Sequence, residues 1–166
     1  MSKSDTGRSF LVALAELDID FIVVGGVAAV LHGAPVVTQD LDIVHSREKE
    51  NVFRLLELLK ESDARYRGQP RGRVLRPSFN ELSGRGHLNL ITSYGPIDLL
   101  CEIGDDDGYE DLIEHTVQFT DGELKFDVLS LEKLIEIKKK TGRAKDRLTL
   151  PLLIAALKKK NPSDPS

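Results

Sequence analysis

The chain has 166 residues, of which 40% are hydrophobic and 30% are charged, and its formal net charge is −4. This length suits one domain, and the negative charge excludes a protein that coats nucleic acid by charge alone, although a local basic groove remains possible. The only cysteine, Cys101, excludes a disulfide framework. Because this single cysteine leaves no disulfide framework, we expect a reducing, cytoplasmic setting. No apolar run is long enough to cross a membrane. We predict one domain over residues 1–160 and a disordered tail at 161–166.

Hydrophobic periodicity divides the first third of the chain into alternating helices and strands. The predicted elements are a helix over 8–17, a strand over 18–24, a short helix over 26–32, a strand over 36–44 and a helix over 47–61. Ser46 is the expected N-cap of the last of these helices.

Residues 62–86 are rich in Gly, Pro and Arg, which predicts loops with one short strand. The elements predicted beyond them are strands over 87–92 and 97–103, a helix over 107–116 capped by Asp107, a strand over 124–129, and helices over 131–141 and 148–160. We expect the first two strands to form a hairpin. Ser130 should cap the helix over 131–141 and Gly142 should end it, whereas Pro151 is expected only near the first turn of the last helix.

This order of elements predicts an α+β fold, with a mixed β-sheet and flanking helices. Two aspartates interrupt the apolar strand predicted over 36–44. Because side chains alternate along a strand, Asp40 and Asp42 should share one face and repel each other unless a cation lies between them. Mg²⁺ suits such hard oxygen ligands, and Mn²⁺ is a possible substitute. Asp98 is a third carboxylate in an otherwise apolar strand, so the sequence predicts a metal site.

A glycine pair, Gly25-Gly26, stands where the first strand meets the following helix. Glycine lets a ligand approach the backbone, and the free N–H groups at a helix start can bind phosphate. Taken alone, such a pair is more often a tight turn, and an Asp-x-Asp pair is more often a solvated surface. Their combination on consecutive elements favours a nucleotide site.

The order Gly25-Gly26, Asp40-Leu41-Asp42 and Asp98 resembles the nucleotidyltransferase superfamily, whose fold is shared with DNA polymerase beta. The stretches GGVAAVLHG, HLNLITSYGPIDLL and LSLEKLIEIKKKTGRAKD resemble small prokaryotic nucleotidyltransferase-like proteins, including the toxin partners of AbiE-type toxin–antitoxin pairs. The resemblance covers residues 20–155. One departure concerns Gly26, because many active members have a serine there whose hydroxyl helps to hold the triphosphate.

The resemblance implies an Mg²⁺-dependent transfer of a nucleoside monophosphate from an NTP donor to an acceptor hydroxyl. Asp40 and Asp42 would bind two metal ions, and Asp98 would bind one of them and take the proton of the acceptor. The acceptor could be RNA, protein or a small molecule, and an antitoxin-like protein could be a partner. The alternative is a non-catalytic nucleotide- or protein-binding module on the same fold.

The nucleotide-binding residues that the resemblance implies are Gly25, Gly26, Thr38, Lys138 and Arg143. Lys138 continues the apolar stripe of its helix with an ammonium that we expect to be unpaired, so it either snorkels along the core edge or faces a cleft. The resemblance favours the cleft. Arg143 and Asp146 could belong to a solvated, capped turn, and Thr38 could be an ordinary strand residue.

The main basic concentration consists of six arginines: Arg65, Arg67, Arg71, Arg73, Arg76 and Arg85. A run of this kind is usually a solvated loop. In a chain of negative net charge, it could also dock an RNA acceptor or help to hold a triphosphate.

Overall fold

The computed structural model describes residues 3–162. Most of the tail predicted at 161–166 therefore lies outside the described residues.

One mixed β-sheet forms the centre of the described part of the chain, as expected for the predicted α+β class. Its seven strands are β1 (Phe21–Val24), β2 (Leu41–His45), β3 (Arg65–Tyr66), β4 (His87–Thr92), β5 (Gly95–Leu100), β6 (Thr116–Asp121) and β7 (Leu124–Leu129), in the spatial order β3-β4-β5-β2-β1-β7-β6. Strand β1 is antiparallel to β2 and parallel to β7, and β2 is parallel to β5. The outer pairs are antiparallel, and β4 and β5 form the predicted hairpin.

Helices cover both faces of the sheet centre, since all four side chains of β1 are buried. The described helices are α1 (Lys3–Glu16), α2 (Gly25–Leu31), α3 (Lys49–Glu61), α4 (Phe79–Leu82), α5 (Tyr109–Leu112), α6 (Leu131–Thr141) and α7 (Ala144–Lys160), with a 3-10 turn at Ile113–His115. Helix α2 packs on β1, β2 and α6, and α6 packs on α7. Of these helices, none is both long and apolar enough to cross a membrane.

Strand β2 is shorter than predicted, because it begins at Leu41 and leaves Asp40 just ahead of the strand. Its partner β1 ends at Val24, which pairs with Asp42. There the chain turns directly into α2, so the residues before Leu41 have no β1 backbone to pair with. The prediction that both aspartates are strand residues is therefore wrong for Asp40.

The predicted N-cap of α3 is also wrong. Glu48 is the N-cap residue, whereas the buried Ser46 precedes the helix and its Oγ accepts a hydrogen bond from the Glu48 N–H at 3.3 Å. The cap predicted for α6 is confirmed: Ser130 Oγ accepts from the Lys133 N–H at 3.2 Å. Gly142 ends this helix with a φ of 60°.

In the second half, one helix is shorter than predicted and one strand was missed. The helix predicted over 107–116 is confined to α5 and the following 3-10 turn, and its N-cap is Gly108 rather than Asp107. Strand β6 was not predicted, although its residues pair with β7 across a turn in which Gly122 has a φ of 63°. As an edge strand with mostly exposed side chains, β6 gives only a weak hydrophobic signal.

Helix α7 begins at Ala144 rather than 148, so Pro151 lies in its interior. Asp146, in the first turn, is buried and binds groups from the end of α6, which fixes the start of α7 before residue 148. Pro151 is exposed. The helix tolerates it because solvent can serve the carbonyl group that loses its intrahelical partner.

Candidate active-site cleft

The sheet brings two of the predicted carboxylates together. Asp42 on β2 and Asp98 on β5 are direct neighbours in the parallel register. Both line a cleft of about 980 Å³, and Asp40, just before β2, lines it as well. The three aspartates predicted from the sequence therefore meet in one cleft, at the middle of the sheet.

The glycine pair at the start of α2 lines the same cleft. Gly25 has a φ of +64°, and a Cβ atom at this position would lie 2.3 Å from Asp42 Oδ2. Both the left-handed backbone and the close approach of the carboxylate require glycine here. Gly25 therefore allows the Asp42 carboxylate to lie against the start of the helix.

Burial and the charges of neighbouring acids raise the pKa of both Asp42 and Asp98. Burial, a hydrogen bond with Asp98 and the charges of Asp98 and Asp40 raise the pKa of Asp42 to about 7. Burial also raises the pKa of Asp98, against the opposing effect of the nearby Arg67 charge. Asp42 Oδ1 is buried without a hydrogen-bond partner. Such a group is costly unless a ligand or cation satisfies it.

The positive charge beside these carboxylates comes from the chain itself. Arg67, directly after β3, donates from Nη1 to Asp40 Oδ2 at 3.3 Å and from Nη2 to Asp98 Oδ1. Its guanidinium thus bridges Asp40, just before β2, and Asp98, on β5. The sequence placed Arg67 only in a general basic run and missed this role, because no local pattern indicates a contact between residues so distant in the chain.

The donor set suits a hard divalent cation, since three carboxylates converge on the cleft and one buried oxygen of Asp42 lacks a partner. Within the described residues, however, no group of three or more His, Cys, Asp or Glu side chains is arranged to hold a metal ion. The carboxylates of the cleft thus have the chemistry that suits Mg²⁺, although the guanidinium of Arg67 binds two of them and they are not arranged around a metal ion.

A second wall of the cleft comes from the α6–α7 junction and carries basic side chains. Lys138, Arg143 and Lys145 line it. Lys138 therefore faces the cleft, as the resemblance implied, but the expectation of an unpaired ammonium is wrong. Its Nζ donates to Asp146 Oδ1 at 3.1 Å.

Asp146 organises this wall and is only 2% exposed. Besides Lys138, it binds the Thr141 hydroxyl at 2.6 Å and Arg143 Nε at 3.0 Å, each through Oδ2. Burial opposes ionisation, but the three hydrogen bonds prevail and lower the pKa of Asp146 to about 2. The interpretation of GRAKDR as a solvated turn is therefore wrong for Asp146. Lys145, whose charge lowers the pKa of Asp42, was missed.

Thr38 occupies the space beside Gly26. A Cβ atom on Gly26 would lie 2.6 Å from Thr38 Oγ1 and 2.7 Å from Thr38 Cβ. A side chain at position 26 and the present position of Thr38 therefore exclude each other. The Thr38 hydroxyl, which also donates to the Asp40 carbonyl oxygen at 3.3 Å, lies where a side chain at position 26 would begin.

Most of the arginines between residues 65 and 85 form ion pairs within the chain. Arg65 and Arg76 bind Asp63, and Arg85 binds Glu102. Arg71 and Arg73 are exposed. The charge available to an external acceptor is therefore smaller than the sequence suggested.

Comparisons with solved structures agree with this fold. A "putative nucleotidyltransferase (TM1012) from Thermotoga maritima" aligns over 89% of this chain and 89% of its own, with 19% identity and a TM-score of 0.56. The lincomycin-bound lincosamide antibiotic adenylyltransferase LnuA aligns over 92% of this chain and 96% of its own, with 12% identity and a TM-score of 0.59. Neither a protein-family model nor a curated protein matches the sequence. The chain has the nucleotidyltransferase fold.

Proposed function

We propose that this chain is an Mg²⁺-dependent nucleotidyltransferase that moves a nucleoside monophosphate from an NTP to an acceptor hydroxyl. One observation carries the proposal: Asp40, Asp42 and Asp98 line one cleft, and Lys138, Arg143 and Lys145 line the same cleft. Acidic and basic side chains in one cleft suit a nucleotide whose triphosphate must be bound near catalytic carboxylates. Both solved structures described above carry this fold, and their names refer to nucleotidyl or adenylyl transfer.

In this proposal, Asp40, Asp42 and Asp98 hold Mg²⁺ or Mn²⁺. The cation would neutralise phosphate charge and lower the pKa of the acceptor hydroxyl. Lys138 and Arg143 bind the triphosphate, with Lys145 beside them, while the Gly25-Gly26 backbone and the Thr38 hydroxyl border it at α2.

Asp98 takes the proton of the acceptor hydroxyl as its oxygen attacks the α-phosphorus. The bond from the α-phosphorus to the bridging oxygen breaks, and pyrophosphate leaves.

The direct experiment incubates the purified protein with each α-labelled NTP, Mg²⁺ and, separately, total RNA, total protein or a small-molecule extract. We expect label from one or more NTPs to appear in one acceptor class, together with pyrophosphate. The non-catalytic alternative is favoured by the Arg67 bridge across Asp40 and Asp98. It predicts nucleotide binding without release of pyrophosphate, so the same experiment separates the two.

A narrower proposal concerns a partner. The resemblance to AbiE-type toxins suggests a cytoplasmic complex with an antitoxin-like protein, and two observations support it. Cys101 is buried and free, which suits a reducing compartment. Helix α7 exposes Leu148 and Leu152, which offers an apolar surface. Co-expression with the product of the adjacent gene, followed by co-purification, tests the proposal. Leu148→Ser should weaken co-purification. The control Leu17→Ser, at an exposed leucine directly after α1, should not weaken it.

A further inference from the structure

We propose that Arg67 is an internal counter-ion which a divalent cation must displace, so that this side chain sets the metal affinity of the cleft. The inference rests on the proposed function, because it assumes that Asp40, Asp42 and Asp98 are the metal ligands. It goes further by assigning a role to a residue outside that ligand set.

The backbone of Arg67 is fixed to the edge of the sheet. Its N–H donates to the Asn89 carbonyl oxygen at 3.0 Å, which continues the pairing of β3 with β4 by one residue. Asn89 in turn pairs with Asp98 in the β4–β5 register. The Arg67 side chain therefore reaches across β4 towards β5, and its guanidinium contacts Asp98 and Asp40 together.

The guanidinium and a divalent cation would compete for the same ligands. Arg67 holds one oxygen of Asp40 and one of Asp98, and both acids belong to the proposed ligand set. Two cations at the same carboxylates repel each other, and a charge-assisted contact with two acids is stronger than an ordinary hydrogen bond. Metal binding must therefore break or weaken the Arg67 contacts.

Arg67 can leave the carboxylates without disturbing the core. Its side chain is 30% exposed, so solvent already reaches the guanidinium. The next residue, Gly68, has a φ of +77° and open space around it, and residues 71–76 are exposed. A fixed clamp that only holds β3 against the sheet is the competing interpretation, and it predicts no effect of Arg67 on metal affinity.

The test is a calorimetric titration with Mn²⁺ alone, at one pH, of the wild-type chain, Arg67→Gln and the control Arg73→Gln. The control removes the same charge from an exposed side chain that, unlike Arg67, is not among the partners of Asp40 and Asp98. We expect Arg67→Gln to bind Mn²⁺ at least about tenfold more tightly than wild type, and Arg73→Gln to bind it as wild type does.

Two further measurements keep the inference testable if Arg67→Gln folds poorly without metal. Arg67→Lys keeps the charge but replaces the planar fork by a point charge, so its Mn²⁺ affinity should lie between those of wild type and Arg67→Gln. Added Mn²⁺ should also raise the melting temperature of Arg67→Gln more than that of wild type.

The outcomes separate this inference from the proposed function. Equal Mn²⁺ affinities for wild type, Arg67→Gln and Arg67→Lys would overturn the counter-ion role and leave the proposed function intact. If none of the variants binds Mn²⁺, both the counter-ion role and the metal dependence of the proposed function are wrong.

Discussion

Asp42 and Asp98 occupy the same register on the adjacent parallel strands β2 and β5, deep in one cleft. Burial and the neighbouring Asp98 raise the pKa of Asp42, burial raises the pKa of Asp98, and the guanidinium of Arg67 lies against Asp98. Such a pair at the centre of the sheet is typical of a functional site, because carboxylates with strongly perturbed pKa values concentrate at such sites.

A side chain at position 26 would overlap Thr38, so substitutions at the two positions should have coupled effects on the free energy of unfolding. Gly26→Ser alone should lower the free energy of unfolding by about 1–3 kcal/mol, because the new Cβ overlaps Thr38. Adding Thr38→Gly, which removes both contacting atoms, should recover part of that loss beyond additivity. Urea unfolding of the two single variants and the double variant measures the coupling. Gly86→Ser, where a Cβ meets nothing within 4 Å, is the control. Simple additivity would contradict the prediction.

Lys138 should affect both nucleotide binding and stability. Lys138→Met removes a charged donor from the cleft wall, so NTP affinity should fall at least about tenfold. It also deprives the buried Asp146 of one partner, so the free energy of unfolding should fall by about 1–3 kcal/mol. Nucleotide titration and urea unfolding test the two effects, with the exposed Lys139→Met as the matched control. Unchanged NTP affinity in Lys138→Met would remove this lysine from the site.

The Asp146 cluster should make stability depend on acid pH. The folded-state pKa of Asp146 is about 2, below its ordinary 3.8. A depressed pKa contributes stability that is present above about pH 4 and is lost as the pH falls towards 2. That contribution is about 2 kcal/mol.

The free energy of unfolding of wild type should therefore exceed that of Asp146→Asn at pH 6, and the gap should narrow by pH 2.5. Glu57→Gln, at an exposed residue on α3, is the control for the loss of one carboxylate, and its free energy of unfolding should follow that of wild type across this pH range. A gap that stays constant across this range would contradict the assigned pKa.

Arg71 and Arg73 should matter little for folding. Both are exposed, so changing both to Ala should alter the free energy of unfolding by less than about 0.5 kcal/mol. If the acceptor is RNA, the same double change should weaken RNA binding and flatten its dependence on salt concentration. Filter binding at several salt concentrations measures the slope, and an unaltered slope for a demonstrated RNA ligand would exclude these arginines from acceptor binding.

Local pattern predicted the class of fold and the three acids of the cleft, because buried strands and helix stripes leave strong periodic signals. It failed where long-range pairing decides the outcome. Asp40 lies outside β2 because β1 ends early, and the edge strand β6 forms because β7 offers it a partner. The start of α7 depends on Asp146, whose partners lie on α6.

The same distinction explains the site residues. Asp42 and Asp98 stand out in sequence because they interrupt apolar strands. Arg67 gave no such signal, since its partners are distant in the chain and it lies in a stretch that contains several other arginines. Lys145 lies in a polar stretch that resembles an ordinary helix start.

The most direct test of the central claim compares label transfer from α-labelled NTP, with Mg²⁺ and the acceptor extracts, by wild type, Asp42→Asn and Asp63→Asn. Asp63 is an exposed acid that pairs with Arg65 and Arg76 and does not line the cleft. We predict transfer by wild type and Asp63→Asn and none by Asp42→Asn, whose fold should be at least as stable as wild type without metal because carboxylate repulsion is relieved. Absence of transfer by wild type with every NTP, or equal transfer by Asp42→Asn, would contradict the account.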